Sequence, residues 1–314
     1  MACTVPDFPT GWEAPPSNSV SFSVPDNWES GRIWGRRDCN FSITTGPTCL
    51  DGWCNGGLLC DPHTGTGVPP ATVAEWTLQG DGDEDFYDVS LVDGYNLPMA
   101  ITNSVNCPEA SCPVDLGPIC PAPLQGPFDS TGFPVGCKSA CSANLDNDPT
   151  DSANCCSGSH STAATCPSSG VAFYSFFKGN CPDAYAYAFD ESSGTALWTC
   201  DSGLNADYTL TFCPPSNGSS TVTVSSSGNT TVPVSSSGTN VGPTSSSVSS
   251  TDSTSSPVSR TLSTSSITSA GATSLNASNS ARPNNAYSLM SLARGRWISL
   301  AVACSLITPF IIMD

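Results

Sequence analysis

Basic residues are scarce in this sequence of 314 residues. It contains 9 Lys and Arg against 27 Asp and Glu, so its formal net charge is −18. Such a charge repels phosphate backbones, which excludes the nucleic-acid-binding classes. Histidine is rarer still, with only His63 and His160, and no pair of CxxC motifs occurs. We therefore expect neither a metal ion nor another cofactor.

A secretory leader is also missing from the printed N-terminus. The first ten residues contain neither a basic n-region nor an apolar h-region. Yet 16 of the 17 cysteines lie between Cys3 and Cys213, a density typical of a secreted disulfide scaffold. We predict an extracellular protein whose N-terminal segment is absent from this sequence.

Hydrophobic alternation in the first third of the chain predicts β structure. Residues 20–24 and 32–36 alternate clearly, and Gly, Pro and Asn recur at short intervals, which favours a mainly β fold of the sandwich type. Residues 106–181 combine cysteines with Pro and Gly and predict loops held by disulfides. One short helix is expected around Phe173, Phe176 and Phe177, ending at Gly179, and a last strand at 208–212.

An acidic stretch at residues 72–96 predicts two short strands joined by a Gly/Asp turn. Its carboxyl groups Glu75, Asp88 and Asp93 stand beside aromatic or β-branched residues. Like charges repel, so their crowding favours a ligand-binding or catalytic role. Because Asp88 and Asp93 are an odd number of residues apart, they share one face only if the chain bends near Gly94.

The composition changes abruptly after the last predicted strand. Residues 215–283 are rich in Ser and Thr and nearly without charge, so we predict a disordered, O-glycosylated stalk. Four sequons predict N-glycosylation, at Asn40, Asn217, Asn229 and Asn276.

The C-terminal residues 284–314 predict a membrane attachment signal. Their apolar run from residue 297 to 313 is short for a spanning helix and contains Pro309. Small residues and a polar spacer precede it, which favours a GPI-attachment signal with lipid attachment at Asn284 over a retained transmembrane anchor.

Three longer motifs carry a resemblance to a known family. They are RIWGRRDC at residues 32–39, DFYDVSLVDGYNLPM at 85–99 and YSFFKGNCPDAY at 174–185. With the strand that ends in FCP at 212–214, the chain resembles the thaumatin-like (osmotin, pathogenesis-related group 5) family over residues 5–214. The stalk and the anchor signal look more like a fungal member than a plant one.

The resemblance implies a flattened β-sandwich with disulfide-rich subdomains and a cleft, as a domain at residues 1–214. It also implies seven disulfides: Cys39–Cys49, Cys54–Cys60, Cys107–Cys200, Cys112–Cys181, Cys120–Cys137, Cys141–Cys155 and Cys156–Cys166. In the family the last domain cysteine pairs with one in the first strand. That strand has no counterpart before residue 32, so we expect an exposed sheet edge and no partner for Cys213.

The cleft of antifungal members is lined by an arginine, a glutamate and three aspartates, which match Arg32, Glu75, Asp88, Asp93 and Asp183. Two carboxyl groups across a cleft are the minimum for glycoside hydrolysis. We predict Glu75 as general acid, since its apolar neighbours raise its pKa, and Asp93 as the ionised partner. Two purely structural alternatives remain: an ion-paired Arg32 and an Asp183 that caps a loop.

Aromatic residues of the same segments predict a stacking surface for sugars. They are Trp76, Phe86, Tyr87, Tyr95 and Tyr185, of which Tyr95 is also assigned to the substrate-binding set.

Three functions are compatible with this reading. The first is an endo-β-1,3-glucanase at the cell wall or on the outer surface of the plasma membrane. The second is a non-catalytic β-glucan-binding or wall-structural protein, and the third is an inhibitor-type module that binds proteins. In each case we expect a monomer.

Overall fold

The computed structural model describes residues 6–43, 45–61, 67–215, 295–302 and 310–313. Within these ranges the chain forms one α-helix, α1 (Tyr174–Asn180), and eleven strands. The strands are β1 (Gly11–Glu13), β2 (Ser19–Val24), β3 (Gly31–Arg36), β4 (Val73–Thr77), β5 (Glu84–Ser90), β6 (Met99–Asn103), β7 (Ala110–Cys112), β8 (Trp198–Asp201), β9 (Tyr208–Phe212), β10 (Arg296–Val302) and β11 (Phe310–Met313).

The strands form two sheets. One has the order β1-β11-β3-β4-β5-β8 and the other has the order β2-β10-β9-β6-β7. A single buried cluster contains Ile33 and Ala74 of the first sheet together with Ile101, Leu210 and Leu300 of the second. The core therefore lies between the sheets, and the predicted β-sandwich is confirmed.

Most of the predicted elements are found. The strand predicted at 208–212 is β9 and has the predicted bounds, but it is not the last, because β10 and β11 follow it. The acidic stretch forms β4 and β5 with a 3-10 turn, Asp81–Asp83, between them. The helix boundary was wrong, because α1 runs through Gly179 to Asn180. It ends where the next residue, Cys181, is tied to β7 through Cys112 and is followed by a proline.

All seven disulfides that the resemblance implied are present. The longest of them joins Cys107 to Cys200, which are 93 residues apart. The expectation for Cys213 was wrong, since Cys213 is disulfide-bonded and its partner lies outside the described residues.

The C-terminal segment contributes strands to both sheets. β10 lies between β2, to which it is antiparallel, and β9, to which it is parallel, and β11 lies between β1 and β3. The side chains of Ile298, Leu300 and Val302 are buried, so the apolar alternation of this run faces the core. The position beside β9, where we expected an exposed edge, is filled.

Arg296, at the start of β10, is buried and charged. Its guanidinium forms an ion pair with the buried Asp85, and Nη2 donates to the backbone oxygen of Ser202 over 2.9 Å. Tyr208 also donates to Asp85 over 2.8 Å. These bonds join β10 to β5 and β9 through one carboxylate.

Among the described residues, no helix is long and apolar enough to cross a membrane. Asn284 and the sequons at Asn217, Asn229 and Asn276 lie outside the described residues, so GPI attachment and glycosylation there stay predictions. Asn40 is described and lies exposed in a loop.

Candidate functional site

An open cavity of about 620 Å³ lies on the first sheet, and we refer to it as the cleft. Strands β3, β4 and β5 form one wall, and the chain that follows α1 forms the other. Its ionisable lining residues are Arg32, Glu75, Asp88, Asp93, Tyr185 and Glu191.

Strand register brings the first three of these residues into a row. Arg32 of β3 is directly opposite Glu75 of β4, which is directly opposite Asp88 of β5. Opposite residues of antiparallel strands project to the same face, with their Cβ atoms about 5 Å apart. Arg32 Nε donates to Glu75 Oε1 over 2.8 Å, and both side chains are about one-third exposed. The row thus contains one ion pair beside a second carboxyl group.

Asp93 joins the row through a turn. β5 ends at Ser90, and Gly94 N donates to Leu91 O over 2.9 Å. Gly94 has a φ of 90°, and a Cβ there would lie 2.7 Å from Cys137 O, so the turn requires glycine. The bend that the sequence required between Asp88 and Asp93 is therefore present, and both residues line the cleft.

Burial shifts the proton affinity of two of these carboxyl groups. The pKa of Asp93 is raised, chiefly by desolvation, while the Arg32 charge acts in the opposite direction. The shift is opposite to the one we expected, since the sequence predicted that backbone N–H groups would lower this pKa. The pKa of Asp88 is raised well above its usual range by desolvation and then by the negative charge of Glu75.

Asp88 is the most enclosed of the cleft carboxyl groups. The residue is 8% exposed, and Oδ1 has no hydrogen-bond partner among the described residues. Glu75, in contrast, accepts the bond from Arg32. The two carboxyl groups of the row are therefore in different electrostatic environments, which is the arrangement that separates an acid from a base.

The opposite wall is built by Tyr185 and Glu191. The Tyr185 backbone pairs with β5, since its N–H donates to Val89 O and its carbonyl accepts from Leu91 N. Its hydroxyl donates to Glu191 Oε1 over 3.3 Å. Tyr185 is 9% exposed, and burial raises its pKa.

Glu191 was missed by the sequence analysis. It lies on a 3-10 helix, Asp190–Ser193, whose first residue is buried and accepts bonds from Tyr174 and from the backbone of Ala186. Lys178 pairs with the same carboxylate at 3.0 Å. No local pattern identifies Glu191, because it lies about a hundred residues from Asp88 along the chain. The contacts of the neighbouring Asp190 place it at the cleft.

Two predicted site residues do not line the cleft. Tyr95 is 1% exposed, its hydroxyl donates to Asp115 over 3.1 Å, and its backbone pairs with Cys137. Its assignment to substrate binding was wrong, because the turn at Gly94 directs the chain into the core. Asp183 is not among the lining residues; its backbone oxygen accepts from Ser111 and from the Trp198 indole.

Aromatic side chains in the cleft are fewer than we expected. Phe86 and Tyr185 line it, whereas the side chain of Trp76, although next to the cleft, is 1% exposed and belongs to the core. Tyr87 does not line it either: it is fully buried, and its hydroxyl donates to Pro108 O. Among the described residues, no group of three His, Cys, Asp or Glu is placed to hold a metal ion.

Known proteins are similar in sequence to residues 3–214 of the chain. Residues 3–214 match the Thaumatin family. The chain is 43% identical to pathogenesis-related thaumatin-like protein 3.5 of Cryptomeria japonica, 44% identical to pathogenesis-related protein 5 of Arabidopsis thaliana and 40% identical to thaumatin-like protein 1a of Malus domestica. These alignments cover 65 or 66% of this chain and 79% of each relative.

Proposed function

The chain belongs to the thaumatin family, and on this basis we propose that its cleft binds linear β-1,3-glucan and hydrolyses it between two carboxyl groups. The observation that carries the proposal is the row of Arg32, Glu75 and Asp88, with Asp93 beside it, in one open cavity. Two carboxyl groups in unlike environments are what glycoside hydrolysis requires.

A neutral polysaccharide suits both the charge and the shape of the site. The net charge of −18 repels anionic polymers but not a glucan. Phe86 and Tyr185 give the cleft apolar surface against which a sugar ring can pack. The cavity is open, which suits a cut within a chain rather than at its end.

Digestion of laminarin, a soluble β-1,3-glucan, tests the proposal. We expect the parent protein to release reducing ends, and Glu75→Gln and Asp93→Asn each to lower the rate at least about 100-fold. Each variant should bind laminarin within about tenfold of the parent, since the amides preserve shape and hydrogen bonding. The matched control is Asp81→Asn, an exposed turn carboxylate outside the cleft, which should keep the parent rate.

Two outcomes would redirect the assignment. If both cleft variants digest laminarin at the parent rate, these carboxyl groups are not the catalysts. If the parent binds laminarin without releasing reducing ends, the protein is a glucan-binding protein that uses the same cleft. An inhibitor-type function would require neither result, and no contact in the described structure favours it over the glucan proposals.

The seven disulfides support an extracellular location, because such bonds persist in oxidising compartments. We propose that glucan binding retains the protein at the cell wall. GPI attachment at Asn284 would remove the residues that form β10 and β11. Release from membranes by a phosphatidylinositol-specific phospholipase C would support that attachment, whereas an intact C-terminus in the mature protein would contradict it.

A further inference from the structure

Asp88 combines burial with an unused oxygen. It lines the cleft, the residue is 8% exposed, and Oδ1 has no partner among the described residues. A buried carboxylate oxygen without a donor is costly, whereas a neutral carboxyl group carries an O–H that can donate to a ligand. A negative charge on Asp88 would leave this oxygen without solvent or donor, so the geometry favours the neutral carboxyl group.

We propose that Asp88 is the proton donor of the cleft, held as a neutral carboxylic acid between Glu75 and Glu191, and that it protonates the glycosidic oxygen of a bound β-1,3-glucan. The choice of substrate rests on the proposed function. The protonation of Asp88 does not, because it follows from the neighbouring charges and the burial.

Ionisable groups face Asp88 from every element that packs around it. Arg32 lies on β3 and Glu75 on β4, while Tyr185 and Glu191 lie on the opposite wall. The charges of Glu75 and Glu191 oppose ionisation of Asp88, and Arg32 favours it. Since Arg32 already forms an ion pair with Glu75 at 2.8 Å, its charge is shared, and desolvation prevails.

Glu75 is a poorer candidate for the acid, although the sequence suggested it. Its Oε1 accepts the hydrogen bond from Arg32 Nε, and its side chain is 30% exposed. A carboxylate oxygen that accepts from a guanidinium is already engaged as an acceptor. Glu75 then acts on the reaction through Asp88, whose ionisation it opposes.

The hydrolytic step balances with Asp88 and Asp93 as the two proton carriers. Asp88 gives its proton to the glycosidic oxygen, which keeps the electron pair of the breaking bond to the anomeric carbon. A water oxygen bonds to that carbon, and the water proton passes to Asp93. A raised pKa makes Asp93 a stronger base. Proton exchange with solvent then restores both residues.

Infrared spectroscopy tests the protonation of Asp88 without any substrate. In the difference spectrum of the parent minus Asp88→Asn, recorded at about pH 6 and so well above the usual range of an aspartate, we expect a protonated carboxyl band from Asp88. Asp51, with a pKa of about 7, absorbs in both proteins and cancels. The control Asp81→Asn should keep the Asp88 band. The proposal fails if parent and Asp88→Asn have the same protonated-carboxyl absorption at this pH.

Binding and hydrolysis of laminarin distinguish an Asp88 that donates a proton from one that only lines the cleft. Asp88→Asn keeps a hydrogen-bond donor but no transferable proton, so it should bind laminarin within about threefold of the parent and lose hydrolysis at least about 100-fold. Asp88→Ala should lose about tenfold in binding, equivalent to one net hydrogen bond. Equal binding by both variants would exclude donation to the glucan. If the parent binds without hydrolysis, the infrared result still decides the protonation.

Glu191 is a positioning residue in this scheme, because it acts through Asp88. Glu191→Gln removes one of the negative charges that oppose ionisation of Asp88. The pKa of Asp88 should fall, so its infrared band should disappear at a lower pH, and the alkaline limb of the pH–rate profile should shift in the same direction. An unchanged titration of Asp88 in Glu191→Gln would exclude this role.

Discussion

Asp51 is a buried carboxyl group outside the cleft. It is 1% exposed, and its Oδ1 accepts from the backbone N–H of Arg37 over 2.8 Å and from Asn96 Nδ2 over 3.2 Å. Its Oδ2 has no partner among the described residues. Desolvation raises the pKa of Asp51 to about 7. The folded protein therefore binds a proton here that the unfolded chain has already released at mildly acidic pH.

Asp51→Asn should change how stability depends on pH. A folded-state pKa of about 7, against an unfolded value near 3.8, makes the parent lose stability as the pH rises from about 4 to about 7. The loss is on the order of 4 kcal/mol at most, at 1.36 kcal/mol per unit. Chemical denaturation at several pH values should show a flatter profile for the variant. A parallel decline in both proteins would contradict the prediction.

At the scale of elements, the turn after β5 decides which carboxyl groups meet. Gly94 adopts a φ of 90°, and an added Cβ would lie 2.7 Å from Cys137 O and 2.9 Å from Ser139 N. Both atoms belong to the backbone, so neither can move aside easily. The loop that contains Cys137 therefore fixes the turn and, with it, the position of Asp93.

Gly94→Ala should destabilise the protein by about 2–4 kcal/mol, since steric overlap adds to the strain of a positive φ. It should also weaken laminarin digestion, because Asp93 shifts relative to Asp88. The matched control is Gly132→Ala, which has a φ of 86° and no described atom within 4 Å of the added Cβ; we expect about 1 kcal/mol from strain alone. Equal thermal unfolding of the two variants would exclude the steric argument.

Strand β10 gives a second test at this scale. Leu300 is 1% exposed and Trp297 is 53% exposed on the same strand. Leu300→Ala should therefore lower the free energy of unfolding by about 2–5 kcal/mol, whereas Trp297→Ala should change it by about 0.5 kcal/mol or less. Urea denaturation measures both. No effect of Leu300→Ala would mean that β10 is not part of the mature fold, as removal of the chain after Asn284 would require.

For the whole molecule, disulfides compensate for sparse regular structure. Residues 113–173 contain only 3-10 turns and loops, yet three disulfides lie wholly within this stretch. Disulfides restrict the unfolded chain, and the effect grows with the length of the loop that they close. The seven disulfides should therefore contribute unequally to the free energy of unfolding.

Removal of Cys107–Cys200 should be more costly than removal of Cys156–Cys166. The two bonds close loops of 93 and 10 residues, for which chain entropy predicts about 4.6 and about 2.7 kcal/mol. Paired Cys→Ala variants of each bond, compared by urea denaturation, should differ by roughly 2 kcal/mol. Similar free energies of unfolding would show that strain or residual structure outweighs loop length.

The sequence by itself determined the strands and part of the cleft. Alternation over residues 32–36 predicted one strand and the acidic stretch at 72–96 predicted two more, which are β3, β4 and β5. The crowding of carboxyl groups and the family resemblance identified Glu75 and Asp88 as site residues, and the resemblance supplied the disulfide pairs. These features depend on local periodicity or on long motifs, which can be read without coordinates.

Only the tertiary structure decided which carboxyl groups of the cleft have a raised pKa. The burial of Asp88, the ion pair at Glu75 and the arrival of Glu191 all depend on segments distant in sequence. The burial of Tyr95 and the place of the C-terminal strands in the sheets also depend on the tertiary structure. Desolvation and the Coulomb interaction depend on distance in space, so the sequence supplied the chemical groups and the packing assigned their roles.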